Sequence, residues 1–339
     1  MQLLSARIEA LPLAEPFVIA RSTTEVAEVV WVEVEHDGER GYGEAAPVDR
    51  YDESAQSALA YLEEAADSLG DDPFALEEIL SRLPGREYAA RAAIDAALHD
   101  LCGKLSGLPV WRLLGLRRAG PPTSWTIGLG DPDEMARKAE GVTGFNALKL
   151  KLGGQDELDV DRVSAVRKVW SGPLRVDVNE GWEEEEEALD VLPRLAELGV
   201  DYCEQPMPAR DLGGGLKERS PIPIYLDENC HTLEDIEECA WMGHGVNIKL
   251  AKSGGIREAV RMVHAARALG LGVMLGCMVE SGLGIAAGAS IASLFDHVDL
   301  DGNLLLREDP WPGVQLAEGV QLPSESLGLG VTEAIPSPR

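Results

Sequence analysis

The spacing of apolar residues changes character near residue 115. Before that point, residues 26–35 are β-branched and roughly alternating, which predicts a strand. His36, Asp37 and Gly38 supply turn residues, and a second short run leads to Glu44, a hairpin-like pattern. Residues 54–68 and 88–105 are rich in Ala and Leu at helical spacing. A sheet followed by helices makes residues 1–115 an α+β unit.

From about residue 116 to 310, short apolar runs alternate with helical stretches. The runs cover 125–129, 147–152, 174–178, 202–203, 224–226, 246–250, 272–275 and 298–300. They recur roughly every 22–27 residues, about the length of one strand–helix unit of a parallel barrel. Eight such units close a barrel. The competing doubly wound sheet lacks support, since no G-x-G-x-x-G follows any of the runs. The predicted fold class is therefore α/β, a (β/α) TIM-type barrel with an α+β N-terminal capping domain. Residues 311–339 are rich in Pro and Gly and read as a segment returning toward the capping domain.

Composition narrows the function classes. The net charge of -29 repels phosphate backbones and anionic lipids, so nucleic-acid and membrane partners are excluded. Lysine is scarce beside arginine, a bias that suits solubility in high salt. The run Glu183 to Glu187 follows the same bias and reads as the solvated start of a helix. No run of ~20 apolar residues and no signal-peptide pattern is present, so a cytoplasmic location is expected. Five cysteines without C-x-x-C argue against a disulfide framework or structural zinc. The six histidines show no zinc spacing.

Catalytic groups of parallel barrels sit at the C-terminal ends of the strands. Here those ends read Lys149-Leu150-Lys151, Asp177-Val178-Asn179, Glu204-Gln205-Pro206, Asp227-Glu228-Asn229, Asn247-Ile248-Lys249 and Asp299-Leu300-Asp301, with Gly276-Cys277-Met278-Val279-Glu280-Ser281 after the seventh. Singly, each charge reads as a surface group in a loop. Together they converge on one mouth, where they must pair or bind a metal. Asp177, Glu204 and Asp227 are three carboxylates on neighbouring strands, a hard oxygen set that suits Mg²⁺. The K-x-K spacing puts Lys149 and Lys151 on one strand face, and Lys249 comes from the far side of the barrel. Nearby cations or burial would lower a lysine's pKa enough for it to serve as a base. Two lysines facing one metal-bound carboxylate could remove a proton on one side and return it on the other, inverting a stereocentre.

This set, with Ser253-Gly254-Gly255 after Lys249, resembles the enolase superfamily in its muconate-lactonizing-enzyme-like subgroup, along nearly the whole chain. The glycine-to-serine string 276–281 and the Asp299/Asp301 pair look like those of dipeptide epimerases. The resemblance implies that Asp177, Glu204 and Asp227 hold Mg²⁺, that Lys151 and Lys249 are the opposed acid and base, and that Lys149 stabilises the enediolate. Asn179, Glu228 and Asn247 would orient ligands and lysines from behind. Asp299 and Asp301 would hold the ammonium of a dipeptide, a compact cation that needs anionic acceptors. Thr126, Cys277, Met278, Glu280 and Ser281 would contact substrate. In the capping domain, residues 16–22 and 49–51 match the loops that close over the site, and Arg21 or Arg50 could bind a side-chain carboxylate such as that of alanyl-glutamate. A homo-oligomer is implied only by analogy.

Other reactions on the same scaffold stay open: racemisation of N-acyl amino acids, o-succinylbenzoate synthesis and muconate cycloisomerisation. They share the metal and the lysines but give no reason for an ammonium-binding Asp pair. A non-catalytic binding barrel is the distant alternative.

Overall fold

A computed structural model describes residues 1–212 and 214–334. Strands β1 (Gln2–Ile19), β2 (Ser22–His36) and β3 (Glu39–Ala45) form an antiparallel sheet in that order. The β2–β3 turn is tight: Asp37 (φ 52°) and Gly38 (φ 84°) both adopt the left-handed conformation a two-residue hairpin needs. The long strand β1 is not legible in the local pattern, which reads residues 16–22 as a loop. Phe17, Val18 and Ile19 in fact pair with Thr24, Thr23 and Ser22, so this segment is the tip of a hairpin. Pairing with β2 supplies the order that a stretch broken by Pro12 and Pro16 does not display on its own.

Alternation along β3 explains its Gly41-Tyr42-Gly43-Glu44 string. A Cβ at Gly41 or Gly43 would collide with the backbone of helix Tyr88–Ser106 at Ala93, Ala97 and Leu101, so glycine lets that Ala-rich helix lie directly on the sheet. Tyr42 and Glu44 then face the opposite way, toward the barrel.

The barrel strands are β4 (Ser124–Ile127), β5 (Ala147–Lys151), β6 (Leu174–Asp177), β7 (Cys203–Glu204), β8 (Ile224–Leu226), β9 (Gly245–Lys249), β10 (Gly272–Gly276) and β11 (His297–Asp299). They are parallel neighbours in chain order. The edges meet through a parallel bridge between Thr123 and Val298, reinforced by Leu300 N donating to Thr123 Oγ1 at 2.8 Å. Helices follow β4 to β10 in turn, from Pro132–Glu140 to Gly282–Ile291. After β11 the chain makes only a short 3₁₀ turn, Gly302–Leu305, before the hairpin β12 (Gln315–Ala317) and β13 (Val320–Leu322). The terminal segment reaches back: Val110 N donates to Gly328 O, and Leu329 N to the buried Asp100. Residues 335–339 of the predicted return segment lie outside the described residues. No helix among the described residues is long and apolar enough to cross a membrane.

Outward residues of the barrel strands are aliphatic and buried against the helices, among them Leu148, Leu150, Val176, Leu226, Ile248 and Leu275. Inward residues divide by level. Tyr202, Tyr225, Met274 and His297 plug the lower end. Above that plug every inward group named at a strand end is polar.

Candidate active site

The strand alternation that buries aliphatic groups outside delivers Lys149, Lys151, Asp177, Glu204, Asp227, Asn247, Lys249 and Asp299 to one mouth. Lys149 Nζ lies 3.0 Å from Asp177 Oδ2, 2.8 Å from Glu204 Oε2 and 2.7 Å from Asp299 Oδ2. Lys151 Nζ donates to Asp177 Oδ2 at 2.7 Å and Asn179 Oδ1 at 3.0 Å. Lys249 Nζ donates to Asp227 Oδ2 at 2.9 Å. Lys151 and Lys249 stand on the second and sixth of eight strands, opposite walls of the barrel. Asn247 Nδ2 donates to Glu204 Oε1 at 2.7 Å.

The backbone turns sharply just past the first two carboxylates. Asn179, Glu180 and Gln205 are non-glycine residues with positive φ, a conformation retained where surrounding structure enforces it. The turn lets Gln205 Oε1 accept from the backbone N–H groups of Asp227 and Glu228, both at 3.0 Å, which fixes the loop that carries the third carboxylate.

Charge is unevenly distributed. Burial would raise the Asp177 and Asp227 carboxyls, but Lys149 and Lys151 hold the first below its usual range and Lys249 and Lys252 the second. Glu204 moves up, through burial and then repulsion from Asp177. Asp301 is pushed up to about 7 by burial and by Asp299. Burial would depress Lys249, yet Asp227 and Glu204 outweigh it and its pKa rises. The lowering expected from sequence is the work of a cation held by these same carboxylates, which would offset their pull on the lysine.

Among the described residues, no three His, Cys, Asp or Glu side chains converge tightly enough, as they stand, to hold a metal ion. Each of the three carboxylates lies against a lysine instead. The chemistry of the donor set nevertheless fits a hard divalent cation. Asp177, Glu204, Asp227, Glu228, Glu280, Asp299 and Asp301 are buried around the mouth, opposed by Arg21, Lys149, Lys151, Lys249 and Lys252. Glu228 Oε2 and Asp299 Oδ1 are buried without a hydrogen-bond donor, and Glu204 Oε2 has only the off-angle ammonium of Lys149. Buried carboxylate oxygens without donors call for added positive charge.

The other residues singled out from sequence divide into those at the mouth and those away from it. Glu228 Oε1 pairs with Arg21 at 2.7 Å, which brings the capping hairpin onto the barrel rim, and Asn179 Nδ2 approaches the same oxygen at 3.5 Å. Thr126 donates its backbone N–H to Asp301 Oδ2 at 2.7 Å. Cys277 and Met278 are half-buried, and Glu280 accepts from Met278 N at 2.8 Å. Arg50 makes two 2.8 Å hydrogen bonds to Glu180, which lies 3.6 Å from Arg21, and all three line one cavity with Asn179. The Ser281 side chain turns toward the capping sheet. Its hydroxyl meets Glu44 and caps helix Gly282–Ile291 by accepting from Leu283 N at 3.2 Å.

Two groups were not singled out from the sequence, although the first lies within the capping loop of residues 16–22. Phe17, at the hairpin tip, stands with its ring 5.8 Å from Lys151 Nζ. Lys252 is buried and donates to Asp227 Oδ1 (2.5 Å), Asp227 O (2.6 Å), Cys230 O (2.7 Å) and Asn247 O (3.1 Å). The signal for it was scarcity: of eight lysines in the chain, four occupy this mouth. Lys252→Met is expected to cost about 1–3 kcal/mol in urea denaturation, because Asp227 keeps Lys249 but the buried carbonyls of Asp227, Cys230 and Asn247 lose their donor. Stability equal to the parent would show that these carbonyls find other donors.

Models of two protein families match the chain. Residues 4–115 match the mandelate racemase / muconate lactonizing enzyme N-terminal domain, and residues 134–333 the enolase C-terminal domain-like family. The chain is 38% identical over 328 residues to an L-Ala-D/L-Glu epimerase of Bacteroides thetaiotaomicron, covering 95% of this chain and 85% of the relative. Among solved structures it resembles a dipeptide epimerase from Enterococcus faecalis V583 complexed with Mg and L-Leu-L-Tyr, with a TM-score of 0.93, 32% identity and coverage of 98% and 100%. It resembles equally an N-succinyl Arg/Lys racemase from Bacillus cereus ATCC 14579, with a TM-score of 0.93, 30% identity and coverage of 98% and 96%.

Proposed function

Because the chain belongs to the mandelate racemase / muconate lactonizing enzyme family of the enolase superfamily, we propose that it is a Mg²⁺-dependent dipeptide epimerase acting at the α-carbon of the C-terminal residue of a dipeptide such as L-Ala-L/D-Glu. The observation that carries this reading is the presence, at one mouth, of two lysines on opposite walls together with the Asp299/Asp301 pair.

Asp177, Glu204 and Asp227 would hold the Mg²⁺. Bound there, the ion supplies a positive centre for the substrate carboxylate and for the negative charge that develops as the α-proton leaves. Lys151 and Lys249 divide the proton traffic. A neutral amine on one wall accepts the α-proton, and an ammonium on the other returns a proton to the opposite face, so the centre inverts. Lys149 is held by three carboxylates, an arrangement that keeps it charged. Burial alone would depress it, but Asp177, Asp299 and Glu204 push its pKa well above the usual range. Standing two residues before Lys151 on the same face of β5, and so one level deeper in the mouth, it serves as a fixed cation while Lys151 carries the proton. Asp299 and Asp301 would take the dipeptide's free ammonium, with Asp301 aimed by the N–H of Thr126.

Fold likeness does not choose between a dipeptide and an N-succinyl amino acid, since both kinds of structure match equally well. The acidic pair does. An N-succinyl group would bring a carboxylate toward two buried Asp side chains, whereas an ammonium completes them. Proton exchange followed by NMR in deuterated water tests this directly. Free dipeptides are expected to exchange their C-terminal α-proton, and N-acetylation is expected to cut kcat/KM by about 100-fold or more, as for loss of one partner of a buried charge pair. Asp301, with its carboxyl near 7, is protonated below that pH and loses its attraction for an ammonium. KM for free dipeptides should therefore rise as pH falls through 7, and KM for the acetylated substrate should not. Faster turnover of N-succinyl amino acids than of any free dipeptide would overturn the assignment.

A further inference from the structure

We propose that Glu44 of the capping sheet is a positioning residue that holds, through Ser281, the loop of residues 277–281 forming the wall of the mouth between Lys249 and the Asp299/Asp301 pair. The proposal builds on the dipeptide reading above, in that this wall contacts substrate.

The connection is geometric. Glu44 lies on β3, on the face turned toward the barrel, opposite Trp31 in register. It is buried and accepts three hydrogen bonds: from Trp31 Nε1 at 2.7 Å, from Ser281 N at 2.8 Å and from the Ser281 hydroxyl. Two of the three come from a single barrel residue. Ser281 ends the loop that leaves β10, the strand lying between β9, which bears Lys249, and β11, which bears Asp299. The far side of the loop is packed just as closely. A Cβ at Gly302, the residue after Asp301, would come within 3.1 Å of Cys277 Sγ and 3.2 Å of Glu280 N. The loop is thus clamped between a capping-domain carboxylate and the turn that carries Asp301.

Helix capping does not account for Glu44. The first turn of helix Gly282–Ile291 is already provided for: Ser281 Oγ accepts from Leu283 N, and Asp309 Oδ1 accepts from Gly282 N at 2.9 Å. Glu44 acts one residue earlier, on the N–H that joins the helix to Glu280. General packing between domains does not account for it either. A buried carboxylate beside a second carboxylate is an expensive way to fill space. Glu280 is that neighbour: Glu44 Oε1 and the Glu280 Cβ both lie within 3.2 Å of where a Cβ on Gly284 would stand. Burial and Glu280 push the Glu44 carboxyl up to about 8, and burial pushes Glu280 up to about 7, consistent with two acids crowded at one joint.

The experiment measures dipeptide kinetics and amide hydrogen exchange in parallel on Glu44→Ala, Glu44→Gln, Ser281→Ala and the control Asp100→Ala. Asp100 ties the same capping sheet through Tyr42 N and Leu329 N but does not touch the loop. Glu44→Ala is expected to raise KM by about tenfold, the equivalent of one buried hydrogen bond, with kcat changed far less. Ser281→Ala should give a similar shift, and the double variant little more than either alone. Amide exchange at 278–281 should accelerate in both while the barrel strands keep their protection. Asp100→Ala should lower Tm without moving KM. The proposal is overturned if Glu44→Ala loses stability but keeps both KM and the exchange pattern of the loop. Should Glu44→Ala fail to fold, Glu44→Gln and Ser281→Ala are read by the same criteria. The exchange measurement needs no substrate, so it decides the role of Glu44 even if no dipeptide is turned over, a result that would count against the dipeptide reading instead.

Discussion

Lys151→Ala and Lys249→Ala should each lower epimerisation by at least about 10³-fold, within the range that positioned acid–base groups contribute, while leaving the fold intact. Stability is spared because each of these lysines shares its carboxylate with another. Removing Lys151 leaves Asp177 with Lys149 at 3.0 Å, and removing Lys249 leaves Asp227 with Lys252 at 2.5 Å. Neither change strands a buried charge, the event that makes loss of an ion-pair partner so destabilising. The more informative readout is isotopic. With one lysine gone, the epimer whose α-proton faces the surviving lysine should still exchange that proton for deuterium, and receive it back on the same face. Deuterium would then enter without inversion, and the other epimer would be inert. The two variants should show opposite preferences for the starting epimer. Undiminished epimerisation in either one would end the two-base assignment.

Much of this site was legible because barrel strands speak in a two-residue period. Lys149 and Lys151, Asp177 and Asn179, Asn247 and Lys249, and Asp299 and Asp301 each recur at i and i+2 at the end of an aliphatic run. Within β5 and β9 that spacing alone sends both members to the same side, while Asn179 and Asp301 stand just past their strands, where a turn returns them to the mouth. The chain order of the strands then says which ends are neighbours and which face each other, and the structure has them in that order. Three things stayed hidden, each for a physical reason. Strand β1 takes its order from pairing with β2 over most of its length, so its own periodicity is weak. Lys252 belongs to a one-turn helix, Leu250–Ser253, that starts where β9 ends, stops at the left-handed Gly254 (φ 92°), and brings Lys252 to Asp227. A three-residue offset from Lys249 does not announce such a turn. Glu44 meets Ser281 across a separation of 237 residues, a distance at which local pattern carries no information.

The sum of charges at the mouth makes the metal the point of greatest leverage. Stripped of divalent ions by a chelator, the protein should lose both epimerisation and deuterium exchange, and regain them with Mg²⁺. Loss of both activities separates this result from the lysine variants, which keep exchange on one face. A readout independent of turnover follows from the surplus of buried carboxylates. A cation that joins them only in the folded state should raise unfolding free energy with concentration, by about 2.7 kcal/mol at 100 times its Kd. Glu204→Gln sharpens the test, since an amide oxygen can still accept from Asn247 Nδ2 and Lys149 keeps Asp177 and Asp299. The variant should therefore fold as well as the parent or better, because a crowded acid has been neutralised, yet show almost no Mg²⁺-dependent stabilisation and a loss of turnover of about 10³-fold or more, comparable to removing other groups that stabilise developing charge. Full exchange by the chelated protein, or an unchanged Mg²⁺ response in Glu204→Gln, would mean that these carboxylates serve only to hold the lysines apart, and the surplus charge would need another partner.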